Sequence, residues 1–180
     1  SDAQGPMLSM MGLDAHTYYR FVEVDGKQHL VNDTGTGNTL RCDHPAVQRL
    51  VIDSLRYWVE EMGVSGFRFD LATVLGRDPG FNPEAEMLQK IKADPVLSKA
   101  ILVAEPWDPG PGGYALGKFG KEFQEHNDTF RDEIRAFWKG EPAKIGALAG
   151  KVAGSAEIFN VAGRKPSHGV NMLAVHDGFT

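Results

Sequence analysis

The sequence holds a single cysteine, Cys42, which excludes an intrachain disulfide and a thiolate metal cage and leaves a free thiol without a role as the expectation. No apolar run comes near the roughly 20 residues that cross a bilayer, and the first residues lack the basic-then-apolar order of a signal peptide. No membrane partner is therefore expected, and the cytoplasm is the default compartment. Blocks of like charge are missing too: the formal net charge is -5 and acidic and basic residues are interspersed, which leaves no footprint for nucleic acid. A neutral substrate fits that balance. There is no H-E-x-x-H and no dense Asp/Asn loop with calcium-ligand spacing. Gly35, Gly37 and Asn38 look superficially like a phosphate loop, but no lysine follows them and no strand precedes them. Neither a metal nor a cofactor is expected.

What is present suffices for one core, since 42% of the 180 residues are hydrophobic. Residues 1–44 are rich in Gly, Asp, Asn and Thr, with isolated aromatics at Tyr18, Tyr19 and Phe21, and read as a long loop or excursion. The pattern then changes. Pro45 suits a first helical turn, apolar residues recur at Val47, Leu50, Val51, Leu55, Trp58, Val59 and Met62, and Gly63 supplies a stop. Residues 64–71 (VSGFRFDL) follow as a strand. The same order recurs with a helix over 83–92 and a buried strand over 100–104 (AILVA). A less regular strand is expected around 123–127, helices over 129–138 and 144–159, and a last strand over 170–175 (VNMLAV). Trp58 and Trp138 lie on apolar helix faces and read as core. Alternating strands and helices imply an α/β fold with a parallel sheet, which either an open doubly wound sheet or a barrel satisfies.

Three strand segments finish alike: FRFD at Asp70, ILVAE at Glu105 and MLAVHD at Asp177. Each delivers a carboxylate at a strand's C-terminal end, the rim where parallel α/β folds place active sites. A lone aspartate there is more often a helix cap or an ion-pair partner. Several converging on one rim repel one another unless a function requires them. Paired carboxylates suit glycosidic cleavage, in which one ionised group attacks the anomeric carbon and another, protonated, donates to the leaving oxygen. A carboxylate site for a hard cation is the rival reading.

At these residues the sequence resembles the α-amylase superfamily, glycoside hydrolase family 13. Residues 66–72 (GFRFDLA), 104–108 (AEPWD) and 175–180 (VHDGFT) look like its fourth-, fifth- and seventh-strand motifs, in the right order, and the resemblance extends over essentially the whole chain. It implies that Asp70 is the nucleophile, with Arg68 orienting it from the same side of the strand. By the same token Glu105 is the general acid/base, Asp177 the third carboxylate that grips sugar hydroxyls, and His176 a hydrogen-bonding partner of the sugar at the cleavage point. Trp107, directly after the acid/base, is as well suited to stacking on a sugar ring as to packing. His126 and Asn127 end the less regular strand, either facing the same rim or forming a surface turn. The spelling AEPWD with HDGFT, together with NDTGTGNTL (32–40), LRYWVEEMGVSGFRFDLA (55–72) and the GGY at 112–114, is similar to the isoamylase and glycogen-debranching branch, which hydrolyses α-1,6 branch points.

The fold so implied is a partial (β/α)8 TIM barrel over 45–180, preceded by an excursion over 1–44 that follows a missing third strand, and ending at strand seven. A complete barrel takes about 250 residues. A branched α-glucan is the expected substrate, glycogen or a limit dextrin, and its hydrolysis is expected of the intact parent, with this chain alone inactive and prone to self-association through open sheet edges. The alternatives are a non-catalytic glucan-binding or structural fragment, or another specificity of the superfamily such as pullulan or α-1,4-glucan hydrolysis.

Overall fold

The computed structural model describes residues 8–176. Within the segment that reads as a loop it places a helix, α1 (Ser9–Tyr18), and an antiparallel hairpin of β1 (Phe21–Val24) and β2 (Lys27–Leu30). The hairpin turns at Asp25 and Gly26, both with positive φ (51° and 71°), which is the backbone an Asp-Gly turn favours.

Helix α2 (Pro45–Glu60) starts where expected, with the Ala46 N–H donating to His44 Nδ1 at 3.2 Å ahead of the proline turn. Its core-facing stripe runs through Val47, Gln48, Val51, Ile52, Leu55 and Val59. Trp58 falls on the flank of that stripe and Trp138 at a helix end, so both are exposed, at 46% and 80%, and neither is the core residue its helical spacing suggested.

Strand β3 (Gly66–Phe69) leads through a 3-10 turn (Ala72–Gly76) into the short arms β4 (Arg77–Asp78) and β5 (Gly80–Phe81), then α3 (Glu86–Ala93) and β6 (Ile101–Ala104). Strand β7 (Gln124–Asn127), α4 (Asp128–Trp138), α5 (Ile145–Val152), α6 (Ala156–Phe159) and β8 (Gly169–Asn171) complete the order. The main sheet has four strands in the order β3-β6-β7-β8, every neighbouring pair parallel. Strands β3 and β6 touch so closely at Gly66 that an added Cβ would sit 2.4 Å from the Ile101 carbonyl oxygen.

The core beneath this sheet joins Leu88 and Ile91 of α3 to Leu97, Leu102 and a chain of aromatic contacts, Phe69 to Phe123 (5.8 Å), Phe123 to Phe119 (5.7 Å) and Phe119 to Phe81 (4.6 Å). Cys42 belongs to it. Burial pushes its thiol pKa up to about 12, so it stays protonated and unreactive at neutral pH.

Besides α1 and the hairpin in the expected loop, two later elements differ from the sequence expectation. The helix expected over 144–159 is two helices, broken where Gly154 (φ 97°) and Ser155 (φ 50°) take left-handed backbone. The last strand is shorter than 170–175, pairing with β7 only as far as Asn127 opposite Asn171. Gly154 ends the first helix as a left-handed cap, with the Ser155 N–H donating to the Gly150 carbonyl (3.0 Å), and one buried residue ties the two altered segments together. The Asn127 carboxamide caps α4 by accepting from the Phe130 N–H (3.1 Å), and it donates to Ser155 Oγ (2.9 Å) and Asn171 Oδ1 (3.1 Å). Asn127→Ala removes these bonds together with the one its carbonyl accepts from Thr129 Oγ1 (2.7 Å), and loss of the cap alone costs about 1 kcal/mol. Urea unfolding should therefore show a lower midpoint, and an unchanged one would contradict the structural role given to Asn127.

Among the described residues no helix is long and apolar enough to cross a membrane.

Candidate active site

The parallel ladder sets the site. Phe69 pairs with Ala104, so Asp70 and Glu105 each come one residue later, at the same level on neighbouring strands. Main-chain bonds continue past them: the Glu105 N–H donates to the Phe69 carbonyl (3.0 Å) and the Ala72 N–H to the Glu105 carbonyl (2.9 Å). Ala104 in turn pairs with Glu125, which puts His126 at that level on β7. Both carboxylates thus stand at the C-terminal rim that the sequence pattern indicated.

Residues two apart on a strand share a side, and Arg68 uses this to hydrogen-bond Asp70 with Nη1. Its Nη2 lies 3.0 Å from Glu105 Oε1, so one guanidinium spans both carboxylates. The Glu105 side chain is buried, and its Oε2 accepts from the Leu71 N–H at 2.7 Å. Leu71 holds φ 43° and ψ 51°, a left-handed conformation that costs a branched-chain residue about 1–2 kcal/mol. Strain of this kind concentrates at functional sites, and here it accompanies a main-chain donor aimed at a buried carboxylate.

Asp70 is open to solvent, and His176 brings Nε2 to 4.0 Å from its Oδ1. A cleft of about 420 Å³ is bounded by Asp70, Leu71, Glu105, the half-buried Trp107, Asp108, Pro109 and His176. Thr34 and Thr36 close it from the excursion, and an adjoining hollow of about 430 Å³ adds Asn38 and Arg68. That wall braces itself. Thr34 Oγ1 donates to the Asn38 carbonyl, the Gly37 N–H to Asn32 Oδ1 (2.7 Å), and the Asp33 N–H to Thr39 Oγ1 (2.8 Å).

His126 is half-buried, with Nδ1 lacking a hydrogen-bond partner among the described residues. Burial first, then the electrostatic influence of Arg68 and His176, hold its pKa below the ordinary histidine value, which favours the neutral imidazole. Asn127 turns into the fold instead of the rim. Arg68, Asp70, Glu105, Trp107 and His176 come together, whereas Asp177 lies outside the described residues. Among the described residues no group of three or more His, Cys, Asp or Glu is placed to hold a metal ion.

Residues 12–131 match the Alpha-amylase family (alpha amylase, catalytic domain). The chain belongs to that family. A glycogen debranching enzyme of Serratia proteamaculans (strain 568) is 49% identical over 179 residues, which is 99% of this chain and 27% of that protein. A solved pullulanase from Anoxybacillus sp. LM18-11, complexed with maltotriose, is 29% identical with a TM-score of 0.67 over 89% of this chain and 23% of its own. For a pullulanase from Bacillus acidopullulyticus the values are 26% and 0.67 over 87% and 20%. The chain spans about a quarter of the length of the curated relatives it matches. Its parallel sheet and α/β order resemble part of the alpha-amylase catalytic barrel.

For an alpha-amylase-family chain the family motifs brought Asp70, Glu105 and Arg68 into view. They did not bring out the Leu71 N–H, which no side-chain pattern encodes, nor Thr34 and Thr36, whose NDTGTGNTL segment carried only a spelling likeness. Asp108 was in view only as the last letter of AEPWD.

Proposed function

We propose that the protein is a retaining glycoside hydrolase acting on α-1,6 branch points of glycogen or a limit dextrin, and that the four-stranded sheet supplies consecutive strands of a (β/α)8 barrel. The observation that carries this reading is the placement of Asp70 and Glu105 at one register level on adjacent parallel strands, spanned by Arg68 and opening on a cleft. A carboxylate pair so arranged suits double displacement. Asp70 is the nucleophile, exposed to the cleft and oriented by Arg68. Its oxygen bonds to the anomeric carbon as the bond to the leaving chain breaks, and Glu105 gives that leaving oxygen its proton. Water then attacks the same carbon, Glu105 takes a proton from the water, and the bond to Asp70 breaks.

Asp177 is assigned as the third carboxylate, on the sugar hydroxyls, with His176 as a hydrogen-bonding partner of the sugar and Trp107 as a stacking surface. The family match supports a glycoside hydrolase, and the 49% identity to a protein named glycogen debranching enzyme supports the α-1,6 assignment. The maltotriose complex of a pullulanase neighbour supports an α-glucan.

The test uses the full-length protein with branched and with linear α-glucan, reading reducing ends and the anomeric configuration of the first product by NMR. Release of α-configured ends from the branched polymer alone is expected. Activity confined to linear α-1,4-glucan would place the protein elsewhere in the superfamily. No release from either polymer would overturn the hydrolase reading.

A further inference from the structure

One buried ion pair beside the cleft does nothing in the chemistry just described. The Arg77 side chain is 2% exposed and that of Asp108 is fully buried. Arg77 grips Asp108 as a fork, with Nε to Oδ2 at 3.0 Å and Nη2 to Oδ1. The same carboxylate accepts from Thr73 Oγ1 (2.6 Å) and from the Gly110 N–H (2.8 Å). Arg77 Nη1 donates to the carbonyls of Pro79 and Pro111, both at 2.8 Å, and its Nε lies 3.6 Å from Asp33 Oδ2. The following turn is moulded onto the pair: a Cβ at Gly113 would come 2.3 Å from Asp108 Oδ1, and one at Gly110 2.6 Å from Arg77 Nη2.

A buried ion pair is weak evidence for stability, because well-packed apolar residues of the same volume usually serve as well or better. Its connections suggest another role. Thr73 lies three residues after Asp70, and Asp108 three residues after Glu105. Both rim segments leave the sheet at the paired Phe69 and Ala104, and both are tied together again at the Thr73 bond to Asp108. Each is thereby clamped at its two ends, with Trp107 held between. Asp33 fastens the wall that carries Thr34 and Thr36 to the same guanidinium.

We propose that Arg77 and Asp108 are positioning residues of the reaction, a bracket that holds the 105–108 segment and the 33–36 wall in register with Asp70. The proposal rests on the hydrolase reading above. The pair touches no reacting atom. It fixes where Glu105 and Trp107 stand relative to the nucleophile, a placement to which rates respond steeply, since about 1 Å can cost a hundredfold.

Full-length protein carrying Arg77→Lys, Asp33→Asn, or Arg77→Met with Asp108→Leu tests this by unfolding midpoint, by kcat and KM on branched glucan, and by hydrogen exchange of the 105–113 segment. The double variant leaves Thr73 Oγ1, the Gly110 N–H, the Pro79 and Pro111 carbonyls and Asp33 without their present partners, so its midpoint should fall. Under conditions where it is folded it is expected to lose about a hundredfold in kcat, with faster exchange at 105–113. Arg77→Lys keeps the charge and loses the fork, so it should lower kcat about tenfold or more. Asp33→Asn releases only the wall and should raise KM more than it lowers kcat. A double variant with wild-type kcat and exchange, whatever its midpoint, would overturn the proposal by showing the pair to be structural only. Should the double variant not fold, Arg77→Lys decides in its place, and wild-type kcat and exchange there would overturn the proposal. A wild-type protein without activity on any α-glucan would sink the hydrolase reading, and exchange at 105–113 would then judge the bracket by itself, faster exchange supporting it and unchanged exchange overturning it.

Discussion

Glu105→Gln in the full-length protein is expected to lower kcat on branched glucan by about a hundred- to ten-thousandfold, the usual contribution of a positioned proton donor. It should spare the first step with a glucoside whose leaving group departs without protonation. Glutamine is nearly isosteric, but its single carbonyl oxygen can keep only one of the two donors that reach Glu105 now, the Leu71 N–H on Oε2 and Arg68 on Oε1. The variant therefore loses the proton donor together with one of these contacts, and the substrate whose leaving group departs without protonation reports the second loss by itself. Asp70→Asn should lose turnover on both substrates, because the amide cannot form the glycosyl bond however good the leaving group. Pre-steady-state release of an aryl leaving group, set against reducing ends from glycogen, separates the two variants. Near-normal turnover of Glu105→Gln on branched glucan would move the acid/base role to another residue.

The second large effect lies away from the cleft. Glu125 on β7 is fully buried, accepts from the N–H groups of Gly117 (2.5 Å) and Phe119 (3.3 Å), and pairs with Arg164 at 2.6 Å. Arg164 is itself buried and lies over the Phe159 ring at 5.0 Å. Burial raises the Glu125 pKa above the ordinary carboxylate value, while Arg164 and the two N–H groups act against that rise. Arg164→Met strands the charge, and breaking one side of such a pair costs about 3–5 kcal/mol at neutral pH.

The sign with pH follows from that raised value. A folded state that binds the Glu125 proton more tightly than the unfolded chain has this contribution in full below the unfolded pKa, about 4.3, and loses it as pH rises through the folded pKa. Removing the counter-charge enlarges the shift. Arg164→Met should therefore regain stability on acidification from neutral pH more steeply than the wild type. Adding Glu125→Gln should restore part of the loss and flatten the difference. Urea titrations over a pH series read both effects, and parallel pH profiles for variant and wild type would contradict the account.

The strands that carry the site were legible because ILVA is an unbroken apolar run and GFRF is apolar but for Arg68, although only part of each is covered and Ile101 is exposed. The hairpin over 21–30 was missed for the opposite reason. Its strands are exposed along most of their length, so little apolar alternation marks them, and only Asp25-Gly26 signals the turn. The break at Gly154 carried a local signal in that glycine, whereas the bond from the Asn127 carboxamide to Ser155 Oγ, between residues 28 apart in different elements, carried none. The same holds for Arg77 and Asp108, 31 residues apart, each an unremarkable charged residue until the fold buries them together. Trp58 shows the limit of periodicity from the other side, since helical spacing marks an apolar face and only packing decides which part of it is covered.

The shared register level of Asp70 and Glu105 has an evolutionary consequence. Strands in a sheet run about 4.8 Å apart, close to the separation of about 5 to 5.5 Å between carboxyls that goes with retention of configuration. The spacing on which stereochemical outcome depends is therefore a property of the polypeptide ladder, which side-chain replacement leaves alone. The cleft walls at 33–36 and 106–109, by contrast, lie outside the ladder, and on the hydrolase reading proposed above they are where substrate preference would be set. A lineage built on this framework can change the glucan it recognises many times over and still deliver the same anomer.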